Sequence, residues 1–213
     1  MRRMTRNYRL LFGPLAGIIL GLGIVGLALL IPGYSHVHQT VSEIGEIGSP
    51  ARLPFAVMLG CVAICILIFA WAVRDLSLAT HHSRIAAYLI ALMALPAAGI
   101  GVFAYPHPAH NVFGMSELIG YQAPLVFALT WRRDPRAKSV VVLSLIFFAL
   151  IWAAIVLNLS PFAAPVWAYV KPVHGLAQRA LFAAWFGWCA VLGILLFNRN
   201  WQRSAHRTIS LPL

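Results

Sequence analysis

The sequence predicts an all-α polytopic membrane protein with six transmembrane helices and both termini in the cytoplasm. Three observations predict it. Of 213 residues, 61% are hydrophobic and only 10% charged, against about 25% charged in an ordinary soluble domain. Six apolar runs are each long enough to cross about 30 Å of hydrocarbon at about 1.5 Å per residue. The basic residues concentrate in alternate loops between those runs, which is the signature of membrane topology. The composition excludes a soluble globular domain, a disordered chain and a disulfide-rich secreted miniprotein.

The spans lie near 10–31, 55–73, 85–105, 111–131, 140–158 and 175–197, and residues 1–213 read as one six-helix domain. The first run follows Arg2, Arg3, Arg6 and Arg9, as a signal peptide would. Its apolar stretch is too long for that and ends in Ile31-Pro32-Gly33-Tyr34 with no small-x-small site, so it reads as a retained helix. Gly17 and Gly21 stand at GxxxG spacing, which lets another helix approach the first span. Pro96 lies in the third span and Pro124 in the fourth. Each removes a backbone donor, so each predicts a kink.

Thirteen of the 16 basic residues fall on the side that carries the termini, including Arg74, Arg84, Arg132, Arg133, Arg136, Lys138, Arg199, Arg203 and Arg207. Only Arg52 and Lys171 fall on the opposite side, and Arg179 lies within the sixth span. The positive-inside rule places the first side, with both termini, in the cytoplasm. The net charge of +11 therefore reads as topology and contact with anionic headgroups, not as a nucleic-acid surface. His81 and His82 fall in an inner loop and read as solvated. Cys61, Cys65 and Cys189 read as packing thiols.

The groups capable of chemistry gather at the predicted outer face. The first outer loop, from Tyr34 to Pro50, contains Ser35, His36, His38, Gln39, Ser42, Glu43 and Glu46. The second holds His107 and His110. In the first loop, Ser35, His38 and Ser42 would share one face of a short interfacial helix, with Val37, Val41, Ile44 and Ile47 as its apolar stripe. In the fourth span His110 and Glu117 are seven apart, hence on one face with Glu117 about 10 Å deeper. Arg179, five residues past His174, lies at a matching depth in the sixth span. A carboxylate in hydrocarbon needs a partner or a wet cavity, so a Glu117–Arg179 ion pair is expected, or both facing one cavity, with Gln178 and His174 beside them.

The runs PGYSHVHQTVSEIG after the first span and HGLAQRALFAAWFGW at the last resemble the bacterial and archaeal membrane-protein family catalogued as domain of unknown function 998. Ser42-Glu43 and Gly175-Leu176-Ala177-Gln178-Arg179 are the most specific parts. The resemblance covers essentially the whole chain. It implies a six-helix integral membrane protein and assigns no catalytic residue.

Two functional classes follow from the polar residues. The first is an outward-facing polar pocket for a small molecule, an ion or a lipid headgroup, with a role in transport left open. Its expected ligand-binding residues are Glu117, Arg179, Gln178, His110, His174, Ser42 and Glu43. The alternative is a metal-dependent membrane-embedded hydrolase acting on a lipid, with His110, His174 and Glu43 as zinc ligands and a carboxylate as base. A Ser–His–acid mechanism on Ser42 is a further candidate, without a nucleophile elbow to support it. Haem, held by His110 and His174, ranks below zinc. The partners expected are the bilayer and a small-molecule or lipid ligand, with the oligomeric state open.

Overall fold

The computed structural model describes residues 7–198. Arg2, Arg3, Arg6, Arg199, Trp201, Arg203 and Arg207 lie outside the described residues. Among the described residues there are helices and turns and no strand. In hydrocarbon a backbone that cannot reach water must satisfy its own N–H and C=O groups, and an apolar run does so as a helix. Six helical segments are long and apolar enough to cross a membrane: Tyr8–Ala28, Arg52–Ala79, Ile85–Val102, Pro108–Trp131, Pro135–Asn158 and Ala164–Asn198. This is a multi-pass membrane protein, and each segment overlaps one expected span, the last beginning eleven residues earlier than expected because it includes the short helix ahead of His174.

The first segment is a 3-10 turn, Tyr8–Leu11, running into α1 (Phe12–Ala28). The second is α2 (Arg52–Ala79). The third divides into α3 (Ile85–Leu92) and α4 (Ala94–Val102), with the break at Met93. The fourth divides into α5 (Pro108–Gly120) and α6 (Ala123–Trp131). Both breaks have the expected cause. Pro96 cannot donate to the Leu92 carbonyl, nor Pro124 to the Gly120 carbonyl, so each helix is interrupted one turn before its proline. The two breaks also meet, because a side chain at Gly120 would run into the thioether of Met93. α7 (Lys138–Asn158) is unbroken. The last segment holds α8 (Ala164–Val170), a short 3-10 turn and α9 (His174–Asn198).

The segments form a ring in chain order. α1 packs on α2, α2 on α3 and α4, α4 on α5, α6 on α7, α7 on α9, and α9 returns to α1. The rings of Tyr8 and Phe197 lie 5.5 Å apart, so the two ends of the described chain share one end of the bundle, here called proximal. The proximal half is packed solid. Phe69, Phe127, Trp131, Trp185 and Trp188 are all but inaccessible. Phe127 stacks on Trp131 at 4.8 Å, and the Trp188 indole donates to Ser144 Oγ at 2.9 Å. Around the ring Leu22, Leu29, Leu53, Val102 and Val112 stay exposed, an apolar belt that suits lipid contact and not water.

Glycine does set the approach of α1 to α9, but mainly at other positions than the GxxxG pair. A Cβ on Gly13 would collide with the Cys189 carbonyl, and one on Gly193 with the Leu10 carbonyl. Gly17 faces Phe186, whereas Gly21 has open space beside it. His82 also departs from expectation. Its ring stacks on Trp131 at 3.8 Å and lies 3.7 Å from Asp134, instead of standing in solvent. The turn after α2 folds back over the end of α6, and Thr80 Oγ1 lies 2.8 Å from the ring.

Two outcomes follow from this packing. Gly193→Val should destabilise the detergent-solubilised protein by about 1–3 kcal/mol, the usual size of overpacking against a rigid neighbour. Gly26→Ala, which meets open space, should leave the melting temperature unchanged. Burial holds the His82 pKa below its usual value, against the opposing pull of Asp134. The unfolded chain therefore takes up a proton near pH 6.5 that the folded chain resists. Stability should fall as the pH drops below about 6.5, and His82→Gln should flatten that slope in thermal melts.

Candidate functional site

At the distal end the chain between α1 and α2 folds inward and meets α5 and α9. It is not the amphipathic helix expected. It forms turns at 36–39 and a single 3-10 turn, Ser42–Gly45. Val41 and Ile44 are buried under the loop, while Val37 and Ile47 of the proposed stripe are exposed. The reason lies in the backbone. α9 offers polar groups that outcompete a local helix for the loop's carbonyls and amides.

Those groups come from the run His174-Gly175-Leu176-Ala177-Gln178-Arg179. Arg179 Nη1 donates to the carbonyls of Gln39 and Gly175, both at 2.8 Å, and Nη2 donates to the Tyr34 hydroxyl at 2.7 Å. Tyr34 in turn donates to the Thr40 carbonyl at 2.6 Å. Gln178 Oε1 accepts from the Val41 amide, and the Leu176 amide donates to the Val37 carbonyl at 3.3 Å. Gly175 makes this possible, since a Cβ there would strike the carbonyls of His36, Val37 and Gln39. Burial pushes the Tyr34 phenol above its usual pKa despite the bond from Arg179. Burial, and then the Arg179 charge, hold His36 below its usual value.

The clamp delivers Ser42 to α5. Ser42 Oγ lies 3.0 Å from His110 Nε2, and His110 Nδ1 lies 2.9 Å from the Phe103 carbonyl. A carbonyl only accepts, so Nδ1 carries the proton. Neutral Nε2 is then the acceptor and the serine hydroxyl donates to it. His110 is 6% exposed. Pro108 at the start of α5 and the His107 cap fix where the helix begins and so where His110 points. The loop is also tied to the second distal loop, through Ile47 N–H to the Tyr105 carbonyl at 2.8 Å.

Beneath this pair lies a cavity of about 380 Å³ between the distal halves of the helices. Its polar rim includes Ser42, His110, Asn111, Asn158, His174 and Gln178. Its walls are apolar, among them Leu20, Leu59, Val62, Met93, Ile100 and Phe186, with Glu117 and Tyr121 set into one side. The tight proximal packing closes its floor.

Of the residues expected to form one site, Ser42, Glu117, His110, His174 and Gln178 border this cavity, while Glu43 and Arg179 do not. The expected Glu117–Arg179 ion pair does not form. Glu117 accepts from the Tyr121 hydroxyl at 2.7 Å, and Arg179 is turned to the loop. Equal depth on two helices does not make their side chains face each other. Glu43 accepts from the Thr40 amide and hydroxyl at 2.8 and 2.9 Å, which holds its carboxylate within the loop. His174 packs its ring edge against Trp167 at 5.1 Å, and its buried Nε2 has no hydrogen-bond partner among the described residues. It separates the cavity from a shallow cleft shared with His38, Glu43 and Lys171.

These residues do not fit a metal. No three His, Cys, Asp or Glu side chains among the described residues gather as a ligand set. His110 has both ring nitrogens engaged, which also takes it from a haem. The groups that sequence reasoning passed over are Tyr34, Thr40 and the Phe103 carbonyl. The last is a backbone atom and carries no sequence signal.

The family model described as protein of unknown function (DUF998) matches residues 14–195. No curated protein and no solved structure matches the chain.

Loosening the clamp should free the loop. Gly175→Val should raise amide hydrogen exchange across residues 36–42 by about tenfold or more, read by mass spectrometry, since a bulky side chain displaces three carbonyls at once. Unchanged exchange would mean that the loop is held by other contacts.

Proposed function

We propose, for a chain that belongs to the DUF998 family of proteins of unknown function, that it is a membrane-embedded acyl hydrolase acting on a lipid ester, with Ser42 as nucleophile and His110 as general base. The observation that carries this reading is the hydrogen-bonded series Ser42 Oγ–H, His110 Nε2, His110 Nδ1–H and Phe103 C=O at the rim of an apolar cavity. A serine hydroxyl is a weak nucleophile until a base takes its proton, and the base needs a third group to hold its tautomer. In the familiar triads a carboxylate does this. Here a backbone carbonyl supplies the same orientation without a charge, which suits a site within the bundle.

The reaction balances with water as the only co-reactant. Ser42 Oγ attacks the ester carbonyl carbon as His110 Nε2 takes its proton. His110 returns that proton to the departing alcohol, leaving an acyl-serine. Water, deprotonated by His110, attacks the acyl carbon, and the proton returns to Ser42 as the fatty acid leaves. The tetrahedral intermediates need a donor for their oxyanion. Gln178 qualifies. Its Oε1 accepts from the Val41 amide beside Ser42 and the residue borders the cavity, so its NH2 group is the donor this reading assigns. The apolar walls suit an acyl tail.

A second reading is binding of a lipid or small molecule without turnover. It is favoured by the clamp itself, because the Ser42–His110 bond also ties the loop to α5. Transport fits less well, since solid packing lies between the cavity floor and the proximal end.

An alkyl fluorophosphonate should label the nanodisc-embedded protein on Ser42, located by peptide mass spectrometry. Ser42→Ala should abolish labelling, and His110→Gln should slow it by about two orders of magnitude or more, the usual share of a general base. A folded protein that resists labelling yet retains a radiolabelled ester would favour the binding reading over hydrolysis.

A further inference from the structure

Glu117 is out of place in an acyl pocket. It stands in the wall of a cavity whose deep residues, Tyr121 apart, are apolar. Tyr121 donates to one of its carboxyl oxygens, Oε2, at 2.7 Å. The other oxygen, Oε1, makes no hydrogen bond among the described residues and is not fully buried, in a residue that lines the cavity. An acceptor left open in apolar surroundings is costly, and a donor brought by a ligand would remove that cost.

Its position along the site is defined. His110, Gly114 and Glu117 recur at helical spacing on the cavity side of α5, with Tyr121 just past its end. Glu117 therefore lies about 10 Å deeper than His110. Between them Gly114 borders the cavity, and a Cβ there would meet nothing within 4 Å. With no side chain, Gly114 adds no obstruction between the Ser42–His110 pair and the carboxyl along this wall.

We propose that the cavity takes a single alkyl chain that passes Gly114 and presents a hydrogen-bond donor, a hydroxyl or an amine, to Glu117 Oε1. This deepens the hydrolase reading by naming the class of acyl chain, and it rests on that reading only for the reacting end. The Glu117–Tyr121 pair then serves as the specificity element. It admits a chain functionalised at mid-length and disfavours a plain one, because a plain chain leaves the carboxyl desolvated and unpaired.

The test uses the full chain in nanodiscs and three probes: methyl dodecanoate, its mid-chain hydroxy derivative, and the O-methyl ether of that derivative, which cannot donate. Equilibrium binding and hydrolysis are measured separately for each. The hydroxy ester is expected to bind about tenfold more tightly than the other two. Glu117→Leu should erase the difference, and Glu117→Gln, which keeps an acceptor and is the gentler change, should retain part of it. Gly114→Leu should weaken binding of all three. Equal binding of the three probes, no binding of any, or a hydroxyl preference that survives in Glu117→Leu would each overturn the inference. A hydroxyl preference without hydrolysis would sink the hydrolase reading and leave this one standing. Hydrolysis without the preference would do the reverse.

Discussion

The arrangement of the distal end depends on the guanidinium of Arg179. A loop that dips among transmembrane helices carries backbone groups that neither water nor lipid can satisfy. Arg179 satisfies the Gln39 and Gly175 carbonyls and orients Tyr34, whose hydroxyl reaches Thr40. With Gln178 on the Val41 amide, α9 serves as a polar spine against which the loop is laid. The donors of the guanidinium are held in a fixed fork. A lysine has the charge but cannot reach two carbonyls and a phenol in one plane. The cation is partnered by neutral dipoles and a phenol, which spread its charge without a buried carboxylate.

The same loop converts a helical ring into a cavity with a reactive rim. The proximal half is closed by aromatic side chains and by glycines that let α1 lie on α9. The distal half stays open because the third and fourth spans break at Met93 and at Tyr121–Gln122, where the prolines withdraw a hydrogen bond. The loop then covers the opening with Val41 and Ile44 turned inward. Ser42, between them, is left facing His110. The cover and the serine–histidine contact belong to the same loop, so whatever loosens Arg179 or Gly175 should disturb both.

The fold was largely legible in the sequence because its signals are local. Span length, hydropathy and the two prolines each act over one helix, and all six spans and both interruptions were readable. The site was legible only in part. His110 and Glu117 were rightly placed on one face because they share a helix, where spacing determines direction. Glu117 and Arg179 sit on different helices, where spacing gives depth and says nothing of rotation, and the ion pair inferred from depth is absent. The loop was misread as a helix because its amphipathic pattern was genuine, but the hydrogen bonds that override it come from a segment more than a hundred residues away. Ser42 and His110 were both candidates. Their pairing turns on the Phe103 carbonyl, which every residue type possesses.

The position of the serine also explains why no nucleophile motif marks it. A nucleophile elbow encodes its geometry in neighbouring glycines, because strand and helix must be joined by a strained turn. Ser42 needs no such strain. Its placement comes from the Thr40–Glu43 contact on one side, the buried Ile44 on the other and the α9 clamp behind it. The information is spread over Tyr34, Gln39, Glu43, Gly175, Gln178 and Arg179, residues that would otherwise pass as unrelated polar positions in a loop and a helix. This accounts for the two most distinctive runs of the chain, PGYSHVHQTVSEIG and HGLAQR. They are the two halves of one contact, and the chemistry sits on the residue that contact holds in place.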